Sequence, residues 1–166
     1  MAFDEIKCTN DDERFMLEAL KEAAEAASEG EVPVGAVIVK DGAVIARAHN
    51  RIEGAGRSSA HAEMLAIEAA EEKLGAKWLS GAVMYVTLEP CSMCAGALVL
   101  SRISRLVIGA DDPKTGACGS LYEITDDPRL NHRIETTRGV LGDICAVQLK
   151  EFFRARRSRQ TTEEDI

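Results

Sequence analysis

His61-Ala62-Glu63 and Pro90-Cys91-Ser92-Met93-Cys94 are the two stretches on which the reading of this chain turns. Each follows a loop or strand-like run and opens an apolar, helix-patterned segment. Helix amino ends carry unpaired N–H groups and partial positive charge, which favours thiolates at Cys91 and Cys94. A CxxC at a helix start turns both sulfurs to one side, within reach of a single ion. His61, from the neighbouring helix, completes a three-ligand set. Three protein ligands on zinc leave the fourth tetrahedral position to water, which separates a catalytic site from a closed structural one. Glu63 is then free to move protons. One zinc ion per subunit and hydrolysis at an amidine-like carbon, with ammonia leaving, are the expectation.

Other readings of the same residues exist. A CxxC also fits a redox pair, half of a structural zinc site or, beside a βαβ pattern, a thioredoxin-like motif. A structural site needs a fourth ligand, for which His49, His132, Cys8, Cys118 and Cys145 are the candidates. Taken together with Pro90, the two stretches form the signature of zinc nucleobase deaminases.

Outward from these motifs, the periodicity predicts a helix over 12–29, capped by Asn10 or Asp11 and stopped by Gly30. Residues 34–40 and 43–49 are β-rich runs joined by Asp41-Gly42, a hairpin signal. A Gly, Ser and Arg-rich loop covers 50–60, and a helix over 61–74 ends at Gly75. A buried strand (82–88), a helix (91–101) and a further strand (105–109) follow. A polar loop (110–120) leads into an irregular stretch containing Asp127-Pro128 and Asn131-His132. A short strand (135–138) and a closing helix (141–159) complete the pattern. Alternating strand and helix predict a three-layer α/β/α sandwich on a five-stranded mixed sheet, in one domain spanning 1–166 with its core at about 12–157.

The chain has 166 residues, 46% of them hydrophobic, enough for one sizeable core. No apolar run approaches the roughly eighteen residues of a membrane span. The acidic start, with Asp4 and Glu5, is unlike a secretory signal, and a cytoplasmic location is expected. Five cysteines, two in the CxxC, argue for metal or reduced thiols over a disulfide framework. A net charge of −8 counts against nucleic acid as a partner. Its distribution is uneven, however: Arg129, Arg133, Arg138, Arg154, Arg156, Arg157 and Arg159 cluster late, leaving a basic face open.

With these residues read, the chain resembles the bacterial tRNA-specific adenosine deaminases of the cytidine deaminase-like superfamily, over about 12–157. Besides the two metal motifs, the resemblance rests on Glu31-Val32-Pro33-Val34-Gly35-Ala36, Ala48-His49-Asn50-Arg51, the run Gly109 to Ser120 and Asn131-His132-Arg133. It implies hydrolytic conversion of adenosine to inosine at the wobble position of a tRNA anticodon loop, with an arginine tRNA as substrate and a homodimer as the working unit. It also implies zinc on His61, Cys91 and Cys94, with Glu63 as proton shuttle. Asn50 and the backbone N–H of Ala62 would read the base. Asp112, Lys114 and Asn131 would meet the anticodon stem-loop, with Arg133, Phe152, Phe153 and Arg154 nearby. One of the two Phe rings is expected in helix core. Asp111 and the acidic tail, Thr162 to Asp165, are expected to weaken phosphate attraction. The alternative is a deaminase of a free base or nucleoside, such as guanine or cytidine.

Overall fold

A computed structural model of the chain describes residues 3–164, with side chains through Arg159. The acids of the tail therefore lie outside the described side chains. One sheet runs in the order β2-β1-β3-β4-β5, formed by β1 (Gly35–Lys40), β2 (Ala43–His49), β3 (Val83–Leu88), β4 (Arg105–Ala110) and β5 (Glu135–Thr137). β1 is antiparallel to β2 and β3, whereas β3, β4 and β5 are mutually parallel. The helices are α1 (Asp11–Ser28), α2 (Ile52–Ala55), α3 (Ala62–Leu74), α4 (Ser92–Leu100) and α5 (Gly142–Glu164).

Successive strand side chains point to opposite faces, and here that alternation sorts two cores. Ala36, Ile38, Met84, Val86, Leu106 and Ile108 pack with Ala66, Ile67 and Ala70 of α3 and Leu98 of α4. Val37, Val39, Tyr85 and Val107 pack with Phe15, Met16, Ala19 and Leu20 of α1 and Cys145 of α5. Helices thus cover both faces, giving the three-layer α/β/α sandwich that the pattern predicts. The central strands read as nearly unbroken apolar runs because neither of their faces meets water.

Local chemistry sets the element ends. Asn10, not Asp11, caps α1: its Oδ1 accepts from the Glu13 amide at 2.9 Å. Glu13 returns the favour, accepting from the Thr9 amide at 2.6 Å. Asp41 (φ 51°) and Gly42 (φ 75°) both take positive φ, as a two-residue type I′ hairpin turn requires. At Gly35 a Cβ would stand 2.0 Å from the Ala19 carbonyl oxygen, so α1 can lie directly on β1 only because that side chain is absent.

One feature departs from the expectation. The loop over 50–60 contains the one-turn helix α2, whose start is held by a residue far away in sequence: the buried Glu31 carboxylate accepts from the amides of Gly54 (2.7 Å) and Glu53 (3.2 Å). As the loop and irregular stretch of the sequence predict, parallel β4 and β5 are joined through residues 111–134 without a helix, although such crossovers are usually helical. Isolated bridges, Cys91 with Gly116 and Cys118 with Glu123, tie this long connection down.

Candidate active site

His61 and Cys91 occupy the N-cap positions of α3 and α4, with extended backbones and no side-chain cap bond. Their side chains turn toward each other instead. His61 Nδ1 lies 3.8 Å from Cys91 Sγ and 3.6 Å from Cys94 Sγ. A nitrogen and a sulfur bound tetrahedrally to one zinc, at about 2.0–2.1 and 2.3 Å, would be about 3.6 Å apart. The three donor atoms lie within 4.8 Å of one another, so His61, Cys91 and Cys94 fit a single metal ion.

The thiols already show the charge such an ion would meet. The Cys94 S–H, followed by His61, holds the Cys91 thiol down to about 4 against the effect of burial. The hydrogen bond to Cys91 and its own burial push the Cys94 thiol up. A dication at this cluster would favour the thiolate form of both cysteines. Hydrogen bonding to Cys91 also raises His61, with burial opposing.

None of the candidate fourth ligands joins the cluster. Cys118 Sγ points to the Pro90 carbonyl and Cys145 lies in the core beside Gly109. His49 bonds Glu22 at 2.9 Å, and His132 bonds the Ile103 carbonyl. Among the described residues the cluster has three members, and all five cysteines are free. A closed structural site and a disulfide both lose their support.

Glu63, on the first turn of α3, is buried, and its Oε2 has no hydrogen-bond partner. Burial pushes its carboxyl up to about 7, opposed by its own backbone amide and by His61. A buried polar atom left unpaired calls for an explanation, and a bound water or substrate group is the natural one. Asn50 is buried at the end of the hairpin, and its Oδ1 accepts from the Ala62 amide at 2.9 Å. The Ala62 N–H, expected to read the base alongside Asn50, is therefore engaged by Asn50. That bond orients the amide and leaves Asn50 Nδ2 as the unengaged donor.

The residues expected to meet RNA have varied surroundings. Asp112 turns its carboxylate back on its own loop, accepting from the Lys114 and Thr115 amides and from Thr115 Oγ1. It shapes the turn that exposes Lys114. Asn131 is exposed, its carbonyl bonded to Arg102. Arg133 pairs with Asp126, and Arg129 with Asp127. Asp111, expected to repel phosphate, is bound to Arg138 at 2.7 Å. Phe152 and Phe153 meet edge to face, with centroids 5.5 Å apart. Phe152 is half-buried and Phe153 exposed, and neither joins the sheet cores, contrary to the core position expected for one of them. Arg154 is exposed on the same helix. One residue passed over in the sequence is Glu89, a buried carboxylate directly before Pro90-Cys91. Its position beside the motif was the only available signal.

Three residues that could hold one metal ion at two helix starts, with an unpaired buried carboxylate beside them on an α/β/α frame, suit a hydrolytic deaminase. Comparison with known proteins agrees. The MafB19-like deaminase family matches residues 10–157. A tRNA-specific adenosine deaminase of Bacillus subtilis is 52% identical over 149 residues, covering 90% of this chain and 92% of that protein. A solved structure from a study of A-to-I editing by tRNA:A34 deaminases is 46% identical with a TM-score of 0.79, covering 82% of this chain and 99% of the other. Guanine deaminase from Nitrosomonas europaea is similar at 30% identity and a TM-score of 0.69, over 84% and 83% of the two chains. The chain belongs to the MafB19-like deaminases and, within them, to the family of tRNA-specific adenosine deaminases.

Proposed function

We propose that this protein hydrolyses the 6-amino group of adenosine at the wobble position of a tRNA anticodon, giving inosine and ammonia. The observation that carries the reading is the orphaned Glu63 Oε2 beside the His61, Cys91 and Cys94 cluster. Zinc, the metal proposed, suits one imidazole and two thiolates and supplies Lewis acidity toward water. The Glu63 carboxylate takes a proton from the attacking water and passes it to ring nitrogen N1; it then takes the second proton from the new hydroxyl at C6 and hands it to the amine, which leaves as ammonia as the C6 carbonyl forms. Asn50 Nδ2 donates to the purine edge while Oδ1 stays on the Ala62 amide; that amide could serve the base only by exchanging partners. Lys114 and Asn131 meet the loop's backbone and flanking bases, and Asp112 holds the turn that carries Lys114. Phe153 offers a stacking face, with Phe152, Arg133 and Arg154 around it. An arginine tRNA is the proposed substrate, on the resemblance described above.

A homodimer is proposed as well. Trp78 (55% exposed) and Leu100 (77% exposed) border a groove lined by Met64, Ile67 and Ala97 on the outer faces of α3 and α4. An apolar patch of this kind marks a partner surface. Sedimentation showing only monomer at micromolar concentration would remove the proposal. No helix among the described residues is long and apolar enough to cross a membrane. Free cysteines and thiolate ligands suit the reducing cytoplasm, the proposed location.

Incubating the metal-loaded protein with an anticodon stem-loop, and separately with free guanine and cytidine, tests the substrate. Inosine in the RNA is the expected result. Turnover of the free bases alone would overturn the reading in favour of the guanine deaminase-like alternative, to which the 30% identical relative lends some weight.

A further inference from the structure

Glu89 has no part in the chemistry above, yet it is one of the most elaborately bonded side chains in the molecule. It leaves the end of β3, where its amide donates to the Ala110 carbonyl at 2.9 Å. Its fully buried carboxylate accepts from the amides of Asp112 (2.9 Å), Cys118 (3.1 Å) and Ser120 (3.0 Å). The Ser120 hydroxyl (2.5 Å) and Arg138 Nη2 (3.2 Å) also donate to it.

The donors come from both ends of one loop. Asp112 stands at its start, Cys118 and Ser120 at its finish, and Lys114 is exposed between them. Gly116 sits so close beneath that a Cβ there would lie 2.5 Å from the Glu89 carboxyl carbon. The Ala117 amide donates to the Pro90 carbonyl at 2.9 Å, and Gly116 bridges to Cys91. The carboxylate therefore fixes the loop in register with the first metal-ligating cysteine, two residues along the chain. A buried ion pair contributes little net stability compared with apolar packing of the same volume. What it supplies here is a defined geometry, because each loop amide has its own place on the two oxygens.

We propose that Glu89 is a positioning residue that presents the Asp112 to Ser120 loop to the substrate RNA at a fixed offset from the metal centre. The proposal rests on the RNA-deaminase reading above. Replacing one oxygen by NH2, as in Glu89→Gln, sets a donor against the converging donors and frees one end of the loop. In the zinc-loaded protein, E89Q is expected to raise KM for the anticodon stem-loop at least tenfold, with kcat within about threefold and zinc still one per chain. Ser120→Ala, an exposed change that removes one bond to the carboxylate and a weaker 3.5 Å bond from Arg138, is expected to raise KM two- to fivefold. E89D is expected to recover part of the loss.

Hydrogen exchange provides a readout independent of RNA. The Asp112, Cys118 and Ser120 amides are expected to exchange at least tenfold faster in E89Q, while α4 keeps its protection. Unchanged exchange at these amides overturns the proposal, as does unchanged KM in both E89Q and S120A. Loss of zinc in E89Q would also overturn it, because Glu89 would then be serving the ligands and not the loop. Failure of the wild type to deaminate RNA would defeat the functional reading, and the exchange ratio would still decide whether Glu89 holds the loop.

Discussion

Asn50→Ala removes a side chain that holds the Ala62 amide and, in the proposed reaction, donates to the purine, and each loss can be sized. Asn50 Oδ1 is the partner of the Ala62 amide at 2.9 Å, and Ala62 is fully buried at the start of α3. Orphaning a buried N–H costs about 1–3 kcal/mol. A domain of this length shifts its melting temperature by about 2–4 °C per kcal/mol, so N50A is expected to melt roughly 2–12 °C lower. Water entering beside the metal cluster could take the freed N–H, which places the result toward the low end. The second loss is the Nδ2 donor to the purine. A site that loses one such bond at about 1–3 kcal/mol gives up about one to two powers of ten in kcat/KM.

Thermal melts of the metal-loaded protein without RNA measure the first loss, and kcat/KM for the stem-loop measures the second. A lowered melt with kcat/KM unchanged would make Asn50 a scaffold for α3 alone. An unchanged melt with kcat/KM within threefold would refute both halves of the reasoning.

Glu63→Gln keeps the shape of the carboxyl and removes its proton chemistry. It is expected to retain zinc, by metal analysis, while deamination falls by about 10²–10⁴ or more, the range for a general acid–base group. Gly116→Ala would push a methyl to 2.4 Å from the Asp112 carbonyl oxygen, an overpacking expected to cost about 1–3 kcal/mol in unfolding measurements and to weaken RNA affinity while zinc stays bound. Asp12→Asn removes the charge and one of the two oxygens that accept from Arg105 (2.8 and 2.7 Å) and Tyr85 (3.0 Å), and is expected to cost about 1–3 kcal/mol at neutral pH. The Arg105 hydrogen bonds hold the Asp12 carboxyl below its usual range against burial, so its contribution is present above the unfolded value of about 3.9 and is lost as the pH falls through the folded one. The stability gap between wild type and D12N should therefore close in acid; a gap that instead widened below pH 4 would count against the pairing.

What could be read from the sequence follows from how local each cause is. The His61, Cys91 and Cys94 cluster was legible because a CxxC and an HxE at helix starts are fixed by a few consecutive residues. The sheet was legible because two buried faces leave an unbroken apolar run, and Asp41-Gly42 is its own hairpin signal. Helix α2 was missed because its start is held by Glu31, whose carboxylate arrives from more than twenty positions away. The charges misled for the same reason. Asp111 reads as a repulsive acid until Arg138 is found beside it, and Arg133 as a free cation until Asp126 is.

Glu89 carries this argument furthest. In the sequence it is one acid before a proline, indistinguishable from a solvated residue. In the fold it is the acceptor for three amides of a loop more than twenty residues later. Burying a charge there is tolerable only because every donor is in place, so the loop and the carboxylate must be kept together or lost together. The bonds that fix this loop are also those that set its distance from Cys91. A change that loosened the clasp would therefore be felt as misplacement of the RNA relative to the metal centre, even with every metal ligand intact.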